Sequence, residues 1–394
     1  MAQKREGFGG RSRLVMAKHV FRCVDCASEF PAEVPRWRCG CGAPLDVDVK
    51  EIFPRAELSK RRPNLWRYRE SLPIQDDGSI VSLDEGMTPL VPVPLAGREV
   101  HCKLDFLFPT GSFKDRGATL LISKVREWGI REVLGDSSGN AAAAIAAYAG
   151  RAGIDCDMYV PEDTSPAKCA QISAYGARLV KIPGPRQATT DAAMEAAASR
   201  FYASHFWNCW FNHGTKTWAF EVWEQLGQRA PDAVAVPAGH GSMLIGAHKG
   251  FGELLAAGYI GRMPRIFAVQ AARCAPLHEI WKGSLNAIPE IEIRPTLAEG
   301  ISITKPIRWK QMVAAVRETG GEVLAVEDEA LPPLLRAFAR RGILMEPTSA
   351  VPFAGVEALV REKKLGARET VVVPVTGHGL KAADKLEKLF GKNG

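Results

Sequence analysis

The sequence predicts an α/β protein that contains two mainly parallel β-sheets. After Pro63, short apolar runs of strand type alternate with amphipathic segments of helical type. This alternation is typical of parallel sheets whose faces are covered by helices. The predicted strands are numerous enough for two sheets, and no low-complexity linker separates them. We therefore expect two interleaved open-sheet lobes, with about 118–225 forming a smaller lobe inserted into a catalytic region at 51–394.

The individual elements follow from apolar runs and helical periodicity. Predicted strands lie at 100–104, 132–135, 156–160, 178–182, 233–236, 266–270, 322–326 and 371–375. Predicted helices between them lie at 118–128, 141–152, 165–175 and 190–202. In open α/β sheets, ligands bind beyond the carboxyl ends of the strands, so the loops that follow these strands are the first candidates for a functional site.

Length and composition fit a globular protein of two or three domains. The chain has 394 residues, of which 46% are hydrophobic and 24% are charged. No apolar run approaches the roughly 18 residues that a membrane helix needs. The first residues also lack the apolar core of a signal peptide, so we expect a cytoplasmic protein without a membrane partner.

The net charge of +7 raises the alternative of a nucleic-acid-binding protein. Much of the excess lies in the first 70 residues, at Lys4, Arg5, Arg11, Arg13, Lys18, Lys60, Arg61 and Arg62. These basic residues are not interleaved with the aromatic side chains that stack on bases. A solvated basic rim, or a site for anionic ligands, explains the charge equally well. Nucleic-acid binding is therefore not expected.

Four of the nine cysteines form a compact pattern near the N terminus, Cys23-x-x-Cys26 followed by Cys39-x-Cys41. Two short knuckles of this kind can place four thiolates around one tetrahedral zinc ion. An all-cysteine site leaves no open coordination position, so the zinc would be structural. We predict a basic tail and a zinc-ribbon-like module over residues 1–50. The alternatives are no metal, or a disulfide pair, which a cytoplasmic location disfavours.

One lysine stands in a glycine-containing turn directly before a predicted helix. The stretch reads Pro109-Thr110-Gly111-Ser112-Phe113-Lys114-Asp115-Arg116-Gly117. A lysine held in such a turn can form a Schiff base with an aldehyde, and the usual aldehyde is pyridoxal 5′-phosphate (PLP), which stabilises a carbanion next to an amine. The alternative is a surface charge cluster that caps a helix. The apolar neighbour Phe113 and three further glycine-containing loops favour Lys114 as the covalent cofactor residue.

The second loop lies between a predicted strand and an alanine-rich helix. Its residues Ser137, Ser138 and Gly139 would expose N–H groups and hydroxyls at the positive end of that helix, an arrangement that suits a substrate carboxylate. Asn140 can reach the phenolic oxygen of PLP. Taken alone, the pattern is more typical of an ordinary helix cap with a glycine turn.

The third loop follows the predicted strand at 233–236. Its residues Ala238, Gly239, His240, Gly241 and Ser242 would surround a phosphate dianion with N–H groups. A lone Gly-x-Gly is a weak signal, and its position directly after a strand strengthens it.

The fourth loop begins at Thr376, after the predicted strand at 371–375. The Thr376 hydroxyl can share a hydrogen bond with the pyridine nitrogen of PLP. A neutral hydroxyl does not keep that nitrogen protonated as a carboxylate would, which suits elimination and replacement at the β or γ carbon better than transamination. His378 is either a proton shuttle or a histidine bound to the backbone.

These four loops, in this order, resemble the motifs of the threonine synthase family of PLP enzymes, which have the tryptophan synthase β-like fold. Pro-Thr-Gly-Ser-Phe-Lys114-Asp-Arg-Gly is similar to the family's lysine motif almost letter for letter. Leu83-Asp-Glu-Gly-Met-Thr88-Pro-Leu resembles the family's Gly-Glu-Gly-x-Thr-Pro-Leu segment, and the cysteine pattern resembles the N terminus of many members. The resemblance covers roughly residues 20–385 and implies a PLP-dependent lyase that forms a homodimer.

The resemblance also implies a substrate side of the site, for which Thr88 and Ser112 are candidates. Threonine synthases usually carry Asn-Ser-x-Asn-Pro-x-Arg-x-x-Gly-x-Lys-Thr before the phosphate loop, and that arginine helps hold the substrate's phosphate. Here the corresponding stretch at 208–217 is shorter and lacks the arginine. Lys216 or His213 is the candidate to replace it, although a lysine is not equivalent to a bidentate arginine. Asn208 and Lys216 are the substrate-binding candidates of this stretch.

The implied substrate is a small amino acid with a leaving group. The best single activity is conversion of O-phosphohomoserine to threonine plus phosphate, favoured by the Thr376 motif. The first alternative is β-replacement or β-elimination on serine, O-phosphoserine or threonine, as in cysteate synthases or dehydratases, favoured by the altered stretch at 208–217. The alternative from another class is a non-catalytic PLP-fold protein that binds RNA or a partner. The intact Lys114 and its three supporting loops argue against it.

Overall fold

A computed structural model describes residues 19–49, 53–164, 166–184 and 186–391. The predicted basic tail, with Lys4 and Lys18 at its ends, lies outside the described residues, as does Ser165 of the third predicted helix. Within the described ranges, no helix combines the length and the apolar character needed to cross a membrane.

The described residues form three sheets and the helices that cover them. The strands are β1 (Val20–Cys23), β2 (Glu29–Pro31), β3 (Leu45–Val47), β4 (Leu90–Leu95), β5 (Arg98–Lys103), β6 (Glu132–Gly135), β7 (Asp155–Pro161), β8 (Arg178–Ile182), β9 (Phe201–Tyr202), β10 (Ala233–Pro237), β11 (Arg265–Ala271), β12 (Val323–Val326) and β13 (Val371–Pro374). The helices are α1 (Lys114–Glu127), α2 (Asn140–Ala152), α3 (Pro166–Ala174), α4 (Arg186–Ala196), α5 (Cys209–Thr215), α6 (Thr217–Gln225), α7 (Ser242–Ala256), α8 (Pro276–Gly283), α9 (Trp309–Glu318), α10 (Leu331–Ala339), α11 (Pro347–Arg361) and α12 (Ala383–Phe390). Short 3₁₀ turns lie between several of them.

The largest sheet has six strands in the order β12-β11-β10-β13-β5-β4, and all neighbours are parallel except the β4–β5 pair. A second, fully parallel sheet has the order β8-β7-β6-β9. The third is a small antiparallel sheet, β2-β1-β3, which carries the N-terminal cysteines. The α/β class with two mainly parallel sheets is therefore confirmed.

The central strand β10 shows why these apolar runs form a parallel sheet. All its residues are buried, because helices cover both faces of the sheet. Ala233 and Ala235 point into the core on one face, whereas Val234 and Val236 point into the core on the other. This two-residue alternation is that of a β-strand.

The chain leaves the six-stranded sheet after β5, forms the four-stranded sheet, and returns at β10. The strands of the smaller sheet thus lie within the sequence of the larger one. This order agrees with an inserted lobe, while the boundaries 118–225 stay a prediction.

All eight predicted strands are present, but the helix predicted at 190–202 is wrong at its end. Helix α4 stops at Ala196, and Phe201 and Tyr202 form β9, which pairs with β6. These two aromatic side chains are buried at the edge of the small sheet, and local periodicity does not reveal that pairing. Strand β4 was not predicted, because Pro92 and Pro94 interrupt it; the structure places it at a sheet edge, where proline is tolerated.

Helix α1, which begins at Lys114, packs closely against α5. A Cβ atom added at Gly214 would overlap the backbone carbonyl of Arg116, and one added at Gly117 would overlap the ring of Phe211. The two glycines therefore allow the two backbones to approach each other. This contact fixes the start of α1.

We expect Gly214→Ala to lower the free energy of unfolding by about 1–3 kcal/mol, because the added methyl group must push α5 away from α1. Gly252→Ala in α7 is the matched control, since a Cβ there meets nothing within 4 Å. Alanine is favoured over glycine inside a helix by about 1 kcal/mol, so the control should be neutral or stabilising. Thermal unfolding of both variants measures the difference, and equal midpoints would contradict this account of the α1–α5 contact.

Candidate active site

A cavity of about 1550 Å³ lies where loops from the two parallel sheets meet. The loops that bound it include 106–114 after β5, 137–141 after β6, 237–243 after β10 and 376–385 after β13. The structure thus brings the four predicted loops to one site. It does so because the carboxyl ends of parallel strands share one edge of each sheet.

Lys114 is the first residue of α1 and lines this cavity. Its Nζ atom lies 3.3 Å from the Oγ of Ser242 and above the rings of Phe113 and Phe211, at 4.6 and 5.7 Å from their centroids. Burial lowers the pKa of Lys114 to about 7, although the charge of Glu346 opposes the shift. A large fraction of this amine is therefore neutral, and nucleophilic, near neutral pH.

Backbone hydrogen bonds join the lysine turn to the fourth loop. The N–H of Phe113 donates to the carbonyl of Thr376, and the N–H of His378 donates to the carbonyl of Gly111, both at 2.9 Å. The left-handed conformation of Gly111, with φ of +80°, allows this approach. These bonds hold the first and fourth loops in a fixed relation, so Lys114 and Thr376 face the same cavity.

Thr376 is buried, and its hydroxyl lies 2.9 Å from the hydroxyl of Ser349 at the start of α11. Ser349 also accepts hydrogen bonds from the N–H groups of Thr376 and Gly377. The sequence did not identify Ser349. Ser349 thereby orients the neutral Thr376 hydroxyl at this end of the cavity.

Ser137, Ser138 and Gly139 line the cavity at the N terminus of α2, as predicted for a carboxylate site. Asn140 also lines it, and its side-chain amide donates to the carboxylate of Glu346 at 2.9 and 3.2 Å. Glu346 is a residue that the sequence reasoning missed. Burial raises its pKa. A glutamate before a proline predicts a helix start, but nothing local indicates that it faces the lysine.

The third loop is a tight turn that leads into the N terminus of α7. Gly241 has φ of +86°, and a Cβ at this position would overlap Met312. A Cβ at Gly239 would lie 3.1 Å from the backbone of Ile301. Side chains are thus disfavoured at these two positions, and the backbone N–H groups of the turn at the helix N terminus suit an anion.

His240 stands in the middle of this turn, stacked on Phe206 with ring centroids 4.0 Å apart and ring planes 6° apart. Burial, reinforced by the charges of Lys114 and Arg186, lowers the pKa of His240 to about 3. Its Nδ1 atom is buried and has no hydrogen-bond partner among the described residues. The neighbouring His205 also lines the cavity, and burial lowers its pKa well below the usual range.

The structure does not bring Thr88 or Asn208 to the cavity. Thr88 is buried, and its hydroxyl donates to Asp105 at 2.7 Å within a network of ion pairs. The side-chain amide of Asn208 donates to the carbonyls of Tyr202 and Ser204. Neither residue lines the cavity, because the Thr88 hydroxyl and the Asn208 amide nitrogen are bonded inside the fold.

Lys216 and His213 are not at the cavity either. Lys216 forms an ion pair with Glu253 at 2.7 Å, and the Nε2 atom of His213 lies 2.9 Å from the carbonyl of Val47. The stretch at 208–217 forms helix α5 and the start of α6, not a loop. It therefore does not supply a replacement for the missing arginine.

Ala238 and Ser112 lie behind the cavity wall. The N–H of Ala238 donates to Val269, and its carbonyl accepts from Gln270, so the sheet already uses its backbone groups. Ser112 is fully buried, and its Oγ has no partner among the described residues. Of the five residues predicted to surround the phosphate, Gly239, His240, Gly241 and Ser242 line the cavity and Ala238 does not.

The cavity wall carries cations that the sequence reasoning did not identify: Lys168, Arg186, Lys381 and Lys385. Arg186 forms an ion pair with the buried carboxylate of Asp136 at 3.0 Å. Thr190 also donates to this carboxylate. The carboxylate that precedes the second loop is thereby paired with a positive charge.

These residues fit PLP. A lysine amine with a lowered pKa, a turn with two crowded glycine positions, and an imidazole with a buried, unpartnered nitrogen belong to the lining of one cavity. The lysine amine would bind the aldehyde of the cofactor. The turn and the imidazole would bind its phosphate.

The four N-terminal cysteines form a separate site. The Sγ atoms of Cys23, Cys26, Cys39 and Cys41 all lie within 4.8 Å of one another, with the Cys23–Cys41 pair at 3.5 Å and the Cys26–Cys39 pair at 3.6 Å. None of the four forms a disulfide. Four thiols grouped in this way fit one tetrahedral metal ion, as expected for structural zinc.

Fold and site together define a PLP-dependent enzyme, and comparison with known proteins agrees. Residues 81–377 match the family model described as "Pyridoxal-phosphate dependent enzyme". The fold is similar to that of a fungal L-serine ammonia-lyase from Rhizomucor miehei, with a TM-score of 0.68 and 23% identity over 78% of this chain and 98% of the other. Maize serine racemase is similar too, with a TM-score of 0.66 and 19% identity over 77% and 92% of the two chains.

Curated relatives place the chain within that class. It is 33% identical to the threonine synthase of Methanocaldococcus jannaschii over 92% of this chain and 93% of the relative. It is 37% identical to that of Mycobacterium leprae over 82% and 89% of the two chains. The chain belongs to the pyridoxal-phosphate-dependent enzymes and, within them, to the threonine synthase family. The predictions of family, PLP cofactor and a threonine synthase-type lyase are confirmed.

We expect the rate at which PLP bonds covalently to the apoprotein to rise with pH and to level off above about pH 7. The reason is that only the neutral Lys114 amine attacks the aldehyde, and its pKa is lowered to about 7. Stopped-flow absorbance of apoprotein mixed with PLP measures this rate.

Glu346→Gln should shift the midpoint of that curve to lower pH, since it removes the negative charge that raises the pKa of Lys114. Glu357→Gln, on the outer part of α11, is the control and should leave the midpoint unchanged. A shift to higher pH in Glu346→Gln would contradict the assigned electrostatics.

Proposed function

We propose that this protein converts O-phosphohomoserine to threonine and phosphate. The observation that carries the proposal is the composition of the cavity. Lys114, with its lowered pKa, and the Thr376 hydroxyl line it, and four other basic side chains outnumber the three carboxylates of Glu299, Glu346 and Asp384 in its wall. Such a wall suits a substrate whose leaving group is phosphate.

In this proposal, Lys114 is the catalytic base. PLP supplies an electron sink for negative charge at the α carbon. Lys114 is placed to take the α proton, because the residue that binds the cofactor covalently is released beside the α carbon when substrate binds. Its lowered pKa lets the released amine accept a proton near neutral pH.

The other predicted residues orient the two ligands. The N–H groups and hydroxyls of 137–139, at the N terminus of α2, would hold the substrate carboxylate. Asn140 would contact the phenolic oxygen of PLP, and 239–242 would hold its phosphate. Thr376, fixed by Ser349, would meet the pyridine nitrogen with a neutral group, which favours elimination at Cγ followed by addition of water at Cβ over transamination.

One observation favours a second candidate, β-elimination on serine, threonine or O-phosphoserine. Helix α5 presents the ring of Phe211, not a cation, toward Lys114 at 5.7 Å. No residue of α5 lines the cavity, so this stretch adds no cation for a distal phosphate, which suits a shorter substrate.

Further proposals rest on the family resemblance and on the cysteine geometry. They are a structural zinc ion at Cys23, Cys26, Cys39 and Cys41 in a zinc-ribbon-like module, a homodimer, and a cytoplasmic location. The grouping of the four Sγ atoms supports the first.

A substrate panel distinguishes the two candidates. We expect phosphate release from O-phosphohomoserine to have the highest kcat/KM, compared with formation of 2-oxo acid from serine, threonine and O-phosphoserine. Higher kcat/KM for 2-oxo acid formation would establish the second candidate instead. A colourless protein that binds no PLP would contradict both.

Arg186→Gln tests the cationic wall. We expect it to raise the KM for O-phosphohomoserine about 10- to 100-fold, the cost of losing a hydrogen bond between charged groups. The KM for serine should change much less. Arg178→Gln is the matched control, since Arg178 pairs with Asp157 outside the cavity. Equal losses with both substrates would mean that Arg186 only stabilises the second loop.

A further inference from the structure

Arg308 lies outside the cavity, is 1% exposed, and stands directly before α9. Its guanidinium donates to the carbonyls of Phe206 at 2.8 Å, Trp207 at 2.5 Å and Leu45 at 2.9 Å, and to the side chain of Gln311 at 2.8 Å. A buried cation is costly unless its donors are satisfied, and this one is satisfied mainly by backbone carbonyls. It therefore ties two distant segments of the chain together.

One of these segments belongs to the N-terminal module, the cysteine-bearing sheet β1–β3. Leu45 is the first residue of β3, where it pairs with Cys23 of β1. On the other side of the Cys39–Cys41 knuckle, Trp37 packs edge-on against Trp207, with ring centroids 5.4 Å apart. The knuckle is thus flanked by two anchors that reach the same stretch of chain, 206–207.

The other segment reaches the cofactor loop. The ring of Phe206, whose carbonyl Arg308 binds, stacks on His240. His205 beside it lies with its ring centroid 5.3 Å from that of His240 and lines the cavity. The backbone position of 206–207 consequently sets the surface against which the loop at 239–242 rests.

Polar contacts beside Arg308 strengthen the same junction. Asp46 of β3 accepts from Gln311 at 3.0 Å and forms an ion pair with Lys249 of α7 at 2.9 Å. Helix α7 is the helix whose N terminus forms the end of the cofactor loop. The N-terminal module is therefore linked to this loop through Phe206 and contacts its helix through Lys249.

We propose that Arg308 is a positioning residue through which the N-terminal module holds the phosphate-binding loop of the cofactor site in place. The proposal rests on the function proposed above for 239–242. It predicts that loss of the Arg308 contacts weakens binding of the PLP phosphate and leaves the remainder of the cofactor site unaffected. A residue that only stabilised the fold would weaken both alike.

The experiment compares PLP with pyridoxal, which has the same aldehyde and ring but no phosphate. Apoprotein of Arg308→Met should bind PLP about tenfold more weakly or worse, the usual cost of losing a group that orients a binding residue. Its Kd for pyridoxal should stay within about twofold of wild type. Arg67→Met is the matched control, because Arg67 is also buried and binds the carbonyl of Leu58 and the carboxylate of Glu224, away from the cavity.

Two further measurements keep the proposal testable if Arg308→Met does not fold. The first uses Phe206→Leu, which removes the ring that stacks on His240. The second uses wild-type protein prepared with zinc and adds a metal chelator to remove metal from the cysteine cluster. Both should lower the affinity for PLP and spare that for pyridoxal. Equal weakening of both ligands, or no change in either, would overturn the proposal.

Gly241→Ala separates this proposal from the function on which it rests, since a Cβ there crowds the loop itself. If this variant leaves PLP affinity unchanged, the loop does not hold the phosphate, and the proposed cofactor placement fails. If Gly241→Ala weakens PLP binding while Arg308→Met and Phe206→Leu do not, the loop holds the phosphate as proposed. The proposed positioning role of Arg308 is then wrong.

Discussion

The structure depends on a buried ion-pair network at the start of the helix that begins with Lys114. Arg116, two residues after Lys114, is fully buried between the carboxylates of Asp105 and Glu221. Lys103 adds a further ion pair with Glu221 at 2.6 Å. Although burial opposes it, the charges of Arg116 and Lys103 lower the pKa of Glu221 to about 2. Buried charges are costly unless paired in this way, so β5, α1 and α6 have one relative position in which the network is satisfied. The start of α1, and with it Lys114, is fixed by that requirement.

The same network explains why Thr88 is not a substrate residue. Its hydroxyl donates to Asp105, and its carbonyl accepts from Lys103. The segment around Thr88 therefore resembles the family pattern because it supports the lysine turn. A residue type that fits substrate binding can equally serve a buried network, and only its contacts distinguish the two roles.

Burial also determines the electrostatics of the cavity. Burial brings the pKa of Lys114 near neutrality and keeps His240 neutral. The cations of the cavity wall and Glu346, which accepts a hydrogen bond from Asn140, determine the electrostatic potential around them. A lysine amine with a lowered pKa and basic side chains are compatible in one cavity, because Lys114 is desolvated whereas the side chains of Lys168 and Arg186 are partly exposed.

The sequence by itself determined the α/β class, the positions of eight strands, and the lysine turn and three further loops that line the cavity. It did so because these features are local: strand periodicity, glycines that permit special turns, and loops that directly follow strands. Only the tertiary structure decided which side chains face the cavity. Glu346 and Arg186 reach it from elements with no local signal, and Ser349 orients Thr376 from behind the lining. Asn208 and Lys216, which looked suitable, are instead bonded inside the fold to Tyr202, Ser204 and Glu253. The direction of a side chain depends on packing between elements distant in sequence, and no local pattern encodes that packing.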